Sequence, residues 1–301
     1  MAIRRTTALT EIDRARPVPA WVAEVIPPET LDLYRKVLFG LIERKIPFLV
    51  GGAYAMTHHA GIERHTRDLD LFVRRETIPA IERAAAEMGL RAHEFSSHWL
   101  WKITTDAGYV DLIWGSGNAA APVDDEWFAR SSESEVFGIP VLLIPAEEMI
   151  WSKAYIQERE RFDGADVAHI LLRRAETLDW EHLLERFGSH WRVLLEHLVA
   201  FGFIYPSERH RIPPFVMREL ISRLQDESAP GADAAGDDDK LCGGTLLSRL
   251  QYLIDIRERG YRDARLVPTG AMTQDQIDAW SRLGEQEAAA SLPFNQRPAK
   301  S

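Results

Sequence analysis

Thiols are almost missing from this chain: among 301 residues only Cys242 carries one. A lone cysteine excludes an internal disulfide framework and a thiolate zinc cluster, and it suits a reducing compartment, so the sequence points to the cytoplasm. Long apolar runs are missing too. None approaches the roughly 20 residues that span a bilayer, and no secretory apolar core follows the first residues, so no membrane partner is expected. Arg4, Arg5, Arg14 and Arg16 give the start a basic cast, but Glu11, Asp13, Pro17, Pro19 and Pro27 make residues 1–27 read as a flexible tail rather than a transit peptide. An excess of positive charge is absent as well. The formal net charge of −10 argues against a protein that coats long duplex DNA, which needs a basic face to neutralise phosphates.

What is present is a globular composition, with 46% apolar residues, enough to fill the cores of two modest domains. Leu31, Tyr34, Val37, Leu38, Leu41 and Ile42 recur at helical spacing over 29–45, and Pro47 closes that helix. Short apolar runs at 46–50, 68–73, 90–95, 99–104 and 109–114 read as strands, the last two joined by the turn Thr105-Asp106-Ala107-Gly108. Between them, 53–59 and the stripe Ile78, Ile81, Ala85, Met88 read as helices. Phe137-Gly138-Ile139-Pro140 looks like a turn feeding one more strand, and Pro145 starts a helix. Beyond it the pattern is helical: 146–161, 164–174, 180–187, 190–202 and 213–225, with Asp179 and Ser189 as N-caps. Residues 226–240, rich in Asp, Ala and Gly, read as acidic linker. Leu246, Leu247, Leu250, Leu253 and Ile254 predict another helix, and Thr273 with Gln276 forms a capping box for a last one. The fold class is therefore α/β (α+β), a mixed sheet with helices on one side followed by a mainly helical C-terminal region. The organisation is 28–145 as the first domain, 146–225 as a helical substrate-side region, 226–244 as a flexible acidic linker, and 245–301 as a helical segment and tail.

The chemistry concentrates in the first domain. A buried run, Phe48-Leu49-Val50, ends in Gly51-Gly52, which lets the backbone turn sharply so that free N–H groups at a helix start can face a phosphate. Asp68 and Asp70, spaced i, i+2 on a strand, project from one face and can ligate one divalent cation or bridge a pair, while Leu69, Leu71 and Val73 point into the core. Asp111, between Val110 and Leu112, faces away from the core in the same manner. Three aspartates that converge repel one another, which raises at least one pKa and is relieved by metal.

Gly51-Gly52, Asp68-Leu69-Asp70 and the strand-borne Asp111 resemble the nucleotidyltransferase superfamily with the DNA polymerase β-like palm, in particular its stand-alone bacterial group of minimal, toxin-antitoxin and abortive-infection members. The resemblance covers residues 30–175. It implies a small palm whose glycine motif holds the triphosphate of a nucleoside triphosphate, with Asp68 and Asp70 binding two Mg²⁺ ions. It further implies that Asp111 ligates the ion beside the attacking hydroxyl and helps to deprotonate it. Two departures stand out: Gly52 replaces the serine of many members, and the interval from Gly52 to Asp68 is longer than in the most compact ones. Arg64 and Thr66 fill that interval and resemble an R-x-T-x-D-x-D variant, with Thr66 bracing the metal loop and Arg64 meeting a phosphate or a carboxylate. Lys153, on the helix after Pro145, resembles the lysine that reaches the triphosphate, and Asp163 and Asp166 are expected to cap and lock the next helix.

The implied activity is transfer of a nucleoside monophosphate from a nucleoside triphosphate to an acceptor hydroxyl on a protein, a tRNA end or a small molecule, with pyrophosphate leaving. Rival readings are a toxin-antitoxin enzyme that modifies a partner protein or tRNA, a catalytically silent nucleotide-binding module, and a phosphohydrolase, which lacks its usual histidine-aspartate pairs here. His58, His59 and His65 have no i, i+4 partner and do not suit zinc. Trp99 and Trp101 alternate on one strand face and read as core rather than as a base-stacking platform.

Overall fold

The computed structural model describes residues 24–63, 66, 68–227 and 240–291. It divides into two compact units, Met1–Gly115 with Pro122–Pro145 and Ser116–Ala121 with Ala146–Ser301.

The first unit is built on a seven-stranded mixed sheet in the order β3-β4-β5-β2-β1-β7-β6. Its elements in chain order are α1 (Pro28–Glu43), β1 (Leu49–Val50), α2 (Gly52–Ala60), β2 (Leu69–Phe72), α3 (Ile78–Glu87), β3 (Ala92–Ser96), β4 (Leu100–Thr105), β5 (Gly108–Ile113), α4 (Asp125–Ala129), β6 (Ser132–Val136) and β7 (Ile139–Leu143). β2 runs parallel to β5 and β1 parallel to β7, and the remaining neighbours are antiparallel. Helix α1 begins with Pro28 in its first turn, where the missing N–H costs nothing, and buries Leu33, Tyr34, Val37, Leu38 and Leu41. That stripe, with Ile81 and Ala85 of α3, packs on Leu69, Leu71, Ile103, Val110 and Leu112 of the sheet. Trp101 shares this inward face and lies partly buried against the same core.

β6 and β7 form a hairpin whose two-residue turn, Phe137-Gly138, has positive φ at both positions (54° and 78°). Such a mirror-image turn matches the strand twist, yet a bulky residue there needs anchorage. The Phe137 ring supplies it, stacking on Tyr34 at 5.7 Å and meeting Tyr54 edge-on at 5.1 Å, while Arg35 donates to its carbonyl. The sequence pattern shows β7 but not β6, because Ser-Glu-Ser-Glu looks polar; on a sheet edge its alternate residues face solvent.

The second unit contains α5 (Ala146–Ala154), α6 (Gly164–Arg174), α7 (Trp180–Phe187), α8 (Trp191–Ile204), α9 (Pro214–Glu227), α10 (Gly244–Leu247), α11 (Leu253–Arg257), α12 (Gln274–Ser291), and a two-stranded parallel ribbon of β8 (Leu241–Cys242) and β9 (Arg262–Asp263). Val167, Ile170, Leu171, Leu183, Phe187, Leu194, Leu198 and Phe201 are buried in it. Asp179 caps α7 by accepting from the His182 N–H, and Thr273 and Gln276 close the reciprocal box at α12. Three expectations are corrected. Helix α5 stops at Ala154 rather than near 161, because buried His197 donates to the Ala154 carbonyl and the chain folds back to pair Gln157 with Phe162. Ser189 is no cap: Gly188–His190 forms a 3-10 turn and α8 starts at Trp191. The single helix expected over 246–254 is two, α10 and α11, since the Glu158 carboxylate accepts from the Ser248 hydroxyl and the Arg249 N–H at the break. Of the acidic linker, residues 228–239 lie outside the described residues. Among the described residues no helix is long and apolar enough to cross a membrane.

Candidate active site

Two glycines and a parallel strand pair build the site in the first unit. Along β2, Leu69 and Leu71 are fully buried while Asp70 and Phe72 point to the other face. β5 lies beside it with Asp70 directly opposite Asp111, so both carboxylates leave neighbouring strands on one face. The turn from β1 into α2 passes over that face. Gly51 donates its N–H to the Asp70 carbonyl at 3.0 Å. A Cβ on Gly51 would stand 2.3 Å from the Phe72 ring, and one on Gly52 would stand 2.1 Å from Asp70 Oδ2. Gly52 also has φ +56°, a conformation that costs other residues about 1 kcal/mol or more. Both glycines are thus required by close backbone approach to Asp70 and Phe72. Phe72 is held in turn by stacking on fully buried Trp127, 5.3 Å between centroids.

Asp68 precedes β2 and is exposed. Thr66 Oγ1 accepts from the Asp68 N–H at 3.1 Å, and the Tyr109 hydroxyl donates to Asp68 Oδ1 at 2.6 Å. Asp111 has a different partner: Lys102 Nζ lies 2.6 Å from Asp111 Oδ1, on β4, at the register position facing Asp111. The ammonium also sits over the rings of Tyr109 (4.2 Å) and Phe95 (4.9 Å). Burial pushes the Asp111 carboxyl above its ordinary range, Lys102 pulls it back, and the Asp68 charge adds to the rise. The Tyr109 hydroxyl is pushed upward, first by its bond to Asp68 and then by burial, so it remains a proton donor at neutral pH. Tyr34 and Tyr54 are raised by burial first, with the nearby aspartates adding to it.

The oxygen-only donor set of Asp68, Asp70 and Asp111 suits a hard divalent cation such as Mg²⁺, and Asp70 Oδ2 packs into the place a Gly52 side chain would take. Among the described residues, however, no three His, Cys, Asp or Glu side chains stand close enough to hold an ion jointly. The three aspartates are arranged as a register pair, Asp70 and Asp111, plus Asp68 tied to Tyr109.

Lys153 belongs to the second unit, where its ammonium pairs with Asp163 Oδ2 at 2.6 Å and Asp166 Oδ2 at 2.7 Å. Arg161 adds a further bond to Asp163, whose carboxylate makes no side-chain cap to α6. Burial pushes the Asp163 carboxyl up, but Arg161 and Lys153 outweigh it and hold it below the usual range. Arg64 and His65 lie outside the described residues. His59 is buried and donates from Nε2 to the Ile144 carbonyl, a structural role.

Lys102 and Tyr109 are the site residues that motif reading missed. A signal existed. The two-residue turn Asp106-Ala107 sets Thr105 opposite Gly108, and counting back along the hairpin puts Lys102 opposite Asp111.

No family model and no curated protein matches the chain. Among solved structures it is similar to the antibiotic-resistance factor ANT(2'')-Ia in solution, at 21% identity over 56% of this chain and 95% of that one, with a TM-score of 0.40. It is similar also to the lincosamide antibiotic adenylyltransferase LnuA with lincomycin bound, at 14% identity over 48% of this chain and 96% of that one, TM-score 0.34. A third is an antigenic nucleotidyltransferase-like protein from Paracoccidioides brasiliensis, at 16% identity over 57% of this chain and 93% of that one, TM-score 0.31.

Proposed function

We propose that the chain is a Mg²⁺-dependent nucleotidyltransferase that moves a nucleoside monophosphate from a nucleoside triphosphate to an acceptor hydroxyl. The observation that carries this reading is the register pairing of Asp70 with Asp111, with Asp70 against the Gly51-Gly52 turn. A glycine pair that opens a helix and two carboxylates from parallel neighbours form the apparatus that in-line phosphoryl transfer needs, where positioning and electrostatics supply most of the rate.

Asp68 and Asp70 are the residues to hold the cation, with Asp68 aimed by Thr66 and Tyr109. A bound ion would supply neutralisation of charge on the triphosphate and on the leaving pyrophosphate. The start of α2, with its bare N–H groups and positive dipole end, receives a phosphate. Asp111 accepts the proton of the acceptor hydroxyl; as a partly buried carboxylate with a raised pKa it is a better base than a solvated one. Arg64 would add positive charge toward the triphosphate. The acceptor is a hydroxyl on a small molecule, a protein side chain or a tRNA end.

The test incubates the full chain with Mg²⁺, each α-labelled nucleoside triphosphate, and a panel of polyhydroxylated antibiotics, tRNA and cell extract. Label on one acceptor class, lost in Asp70→Asn and on chelation, is the expected result. Tight nucleotide binding with no transfer to any acceptor would instead make the chain a silent binding module.

A further inference from the structure

The Asp111 carboxylate is already matched by a cation that belongs to the chain. Lys102 Nζ sits 2.6 Å from Asp111 Oδ1, with only 18% and 17% of the two side chains exposed. The pair is not a chance surface contact. The β4–β5 hairpin places the two residues directly across from one another, and the rings of Phe95 and Tyr109 flank the ammonium. A half-buried lysine paired and flanked in this way is costly to displace, and a dication on the same carboxylate would face that ammonium across it, a like-charge arrangement in a partly desolvated place. Consistent with this, the three aspartates do not close into a joint cluster among the described residues. The other two carboxylates stand apart from this pair: Asp70 Oδ2 lies against Gly52, and Asp68 is held by the Tyr109 hydroxyl.

We infer that Lys102 takes the place of a second metal ion in this site: the chain binds one divalent cation, on Asp68 and Asp70, and Lys102 holds Asp111 as an ion-paired carboxylate turned toward the acceptor hydroxyl. Lys102 is thus a positioning residue. The inference rests on the nucleotidyltransferase reading and departs from the two-ion arrangement that the sequence resemblance implies.

Mn²⁺ alone, titrated into the full chain without nucleotide and counted by the electron paramagnetic resonance of the free ion, tests it. Binding to an Asp68→Ala/Asp70→Ala variant is subtracted as background from the rest of this acidic chain. The wild type is expected to take up about one Mn²⁺ above that background. Asp111→Asn should leave its affinity within about twofold, whereas loss of a true ligand would weaken it by about tenfold or more. Lys102→Met should gain a second Mn²⁺ that disappears again when Asp111→Asn is added, and Lys102→Arg, which keeps the cation, should stay at one. Circular dichroism of each variant establishes that the count comes from folded protein. Two ions on the wild type, a strong loss in Asp111→Asn, or no gain in Lys102→Met when Lys102→Arg is folded would each overturn the inference while leaving a metal-dependent transferase standing. No Mn²⁺ on the wild type above background, with or without nucleoside triphosphate, would overturn the metal-dependent reading itself.

Discussion

Asp70 and Asp111 face each other across a parallel strand pair, and the Cα of Gly52 lies against the first of them. This relationship makes the two aspartates different in kind despite their adjacency. Asp70 is packed under a backbone turn, whereas Asp111 is engaged from the opposite side by Lys102. Asp70→Asn should therefore abolish both cation binding and transfer, and Asp111→Asn should spare binding of nucleotide and lower kcat by about 100-fold or more. Isothermal titration with a non-hydrolysable nucleotide beside kcat measurement separates the two.

Gly52→Ala introduces a methyl group where Asp70 Oδ2 stands and imposes a left-handed conformation on a residue with a Cβ. The Asp70 carboxylate has to move by about an ångström, a displacement that costs about 100-fold in rate. Strain of about 1 to 2 kcal/mol should appear as a lowered urea midpoint. Wild-type kcat/KM in this variant would show that the turn does not govern Asp70.

In the second unit Glu148 is fully buried, with His182 Nε2 at 2.6 Å and Arg186 at 3.2 Å from its Oε1. His182→Phe leaves that carboxylate short of a partner in a place water does not reach. A loss of about 3 kcal/mol in unfolding free energy is expected, read by denaturant titration, with kcat unchanged in the protein that remains folded.

The Asp163 carboxyl illustrates acid sensitivity. Burial alone would raise its pKa, yet Arg161 and Lys153 lower it below the unfolded value. A group depressed on folding contributes stability that is present above the unfolded pKa and is lost as pH falls through the folded one. Asp163→Asn should lower stability by about 2 kcal/mol at neutral pH. It should also flatten the decline of melting temperature below about pH 4. A variant whose acid limb matches the wild type would place that sensitivity elsewhere.

The strands that carry the aspartates were legible because burial on one face leaves a period-two trace: Leu69 and Leu71 bracket Asp70, and Val110 and Leu112 bracket Asp111. The diglycine turn was legible as a strand-to-helix corner, but the reason for both glycines, the approach to Asp70 and Phe72, is a tertiary contact with no sequence signature. The same holds for the end of α5, which His197 sets from 43 residues away, and for the break between α10 and α11, which Glu158 sets from the far side of the unit's sequence. Edge strand β6 escaped because its polar alternation resembles a loop. Lys102 was hidden for another reason. Motif reading looks for carboxylates and glycines, while a residue's partner across a hairpin emerges only when the turn register is worked out.

The measurement that bears most directly on the central claim is transfer of label from an α-labelled nucleoside triphosphate in the presence of Mg²⁺, comparing the wild type with Asp70→Asn, whose fold is verified by circular dichroism. Label on an acceptor and released pyrophosphate with the wild type, and neither with the variant, is the expected result. Equal transfer by the two proteins would contradict the assignment of chemistry to the strand pair beneath Gly51 and Gly52.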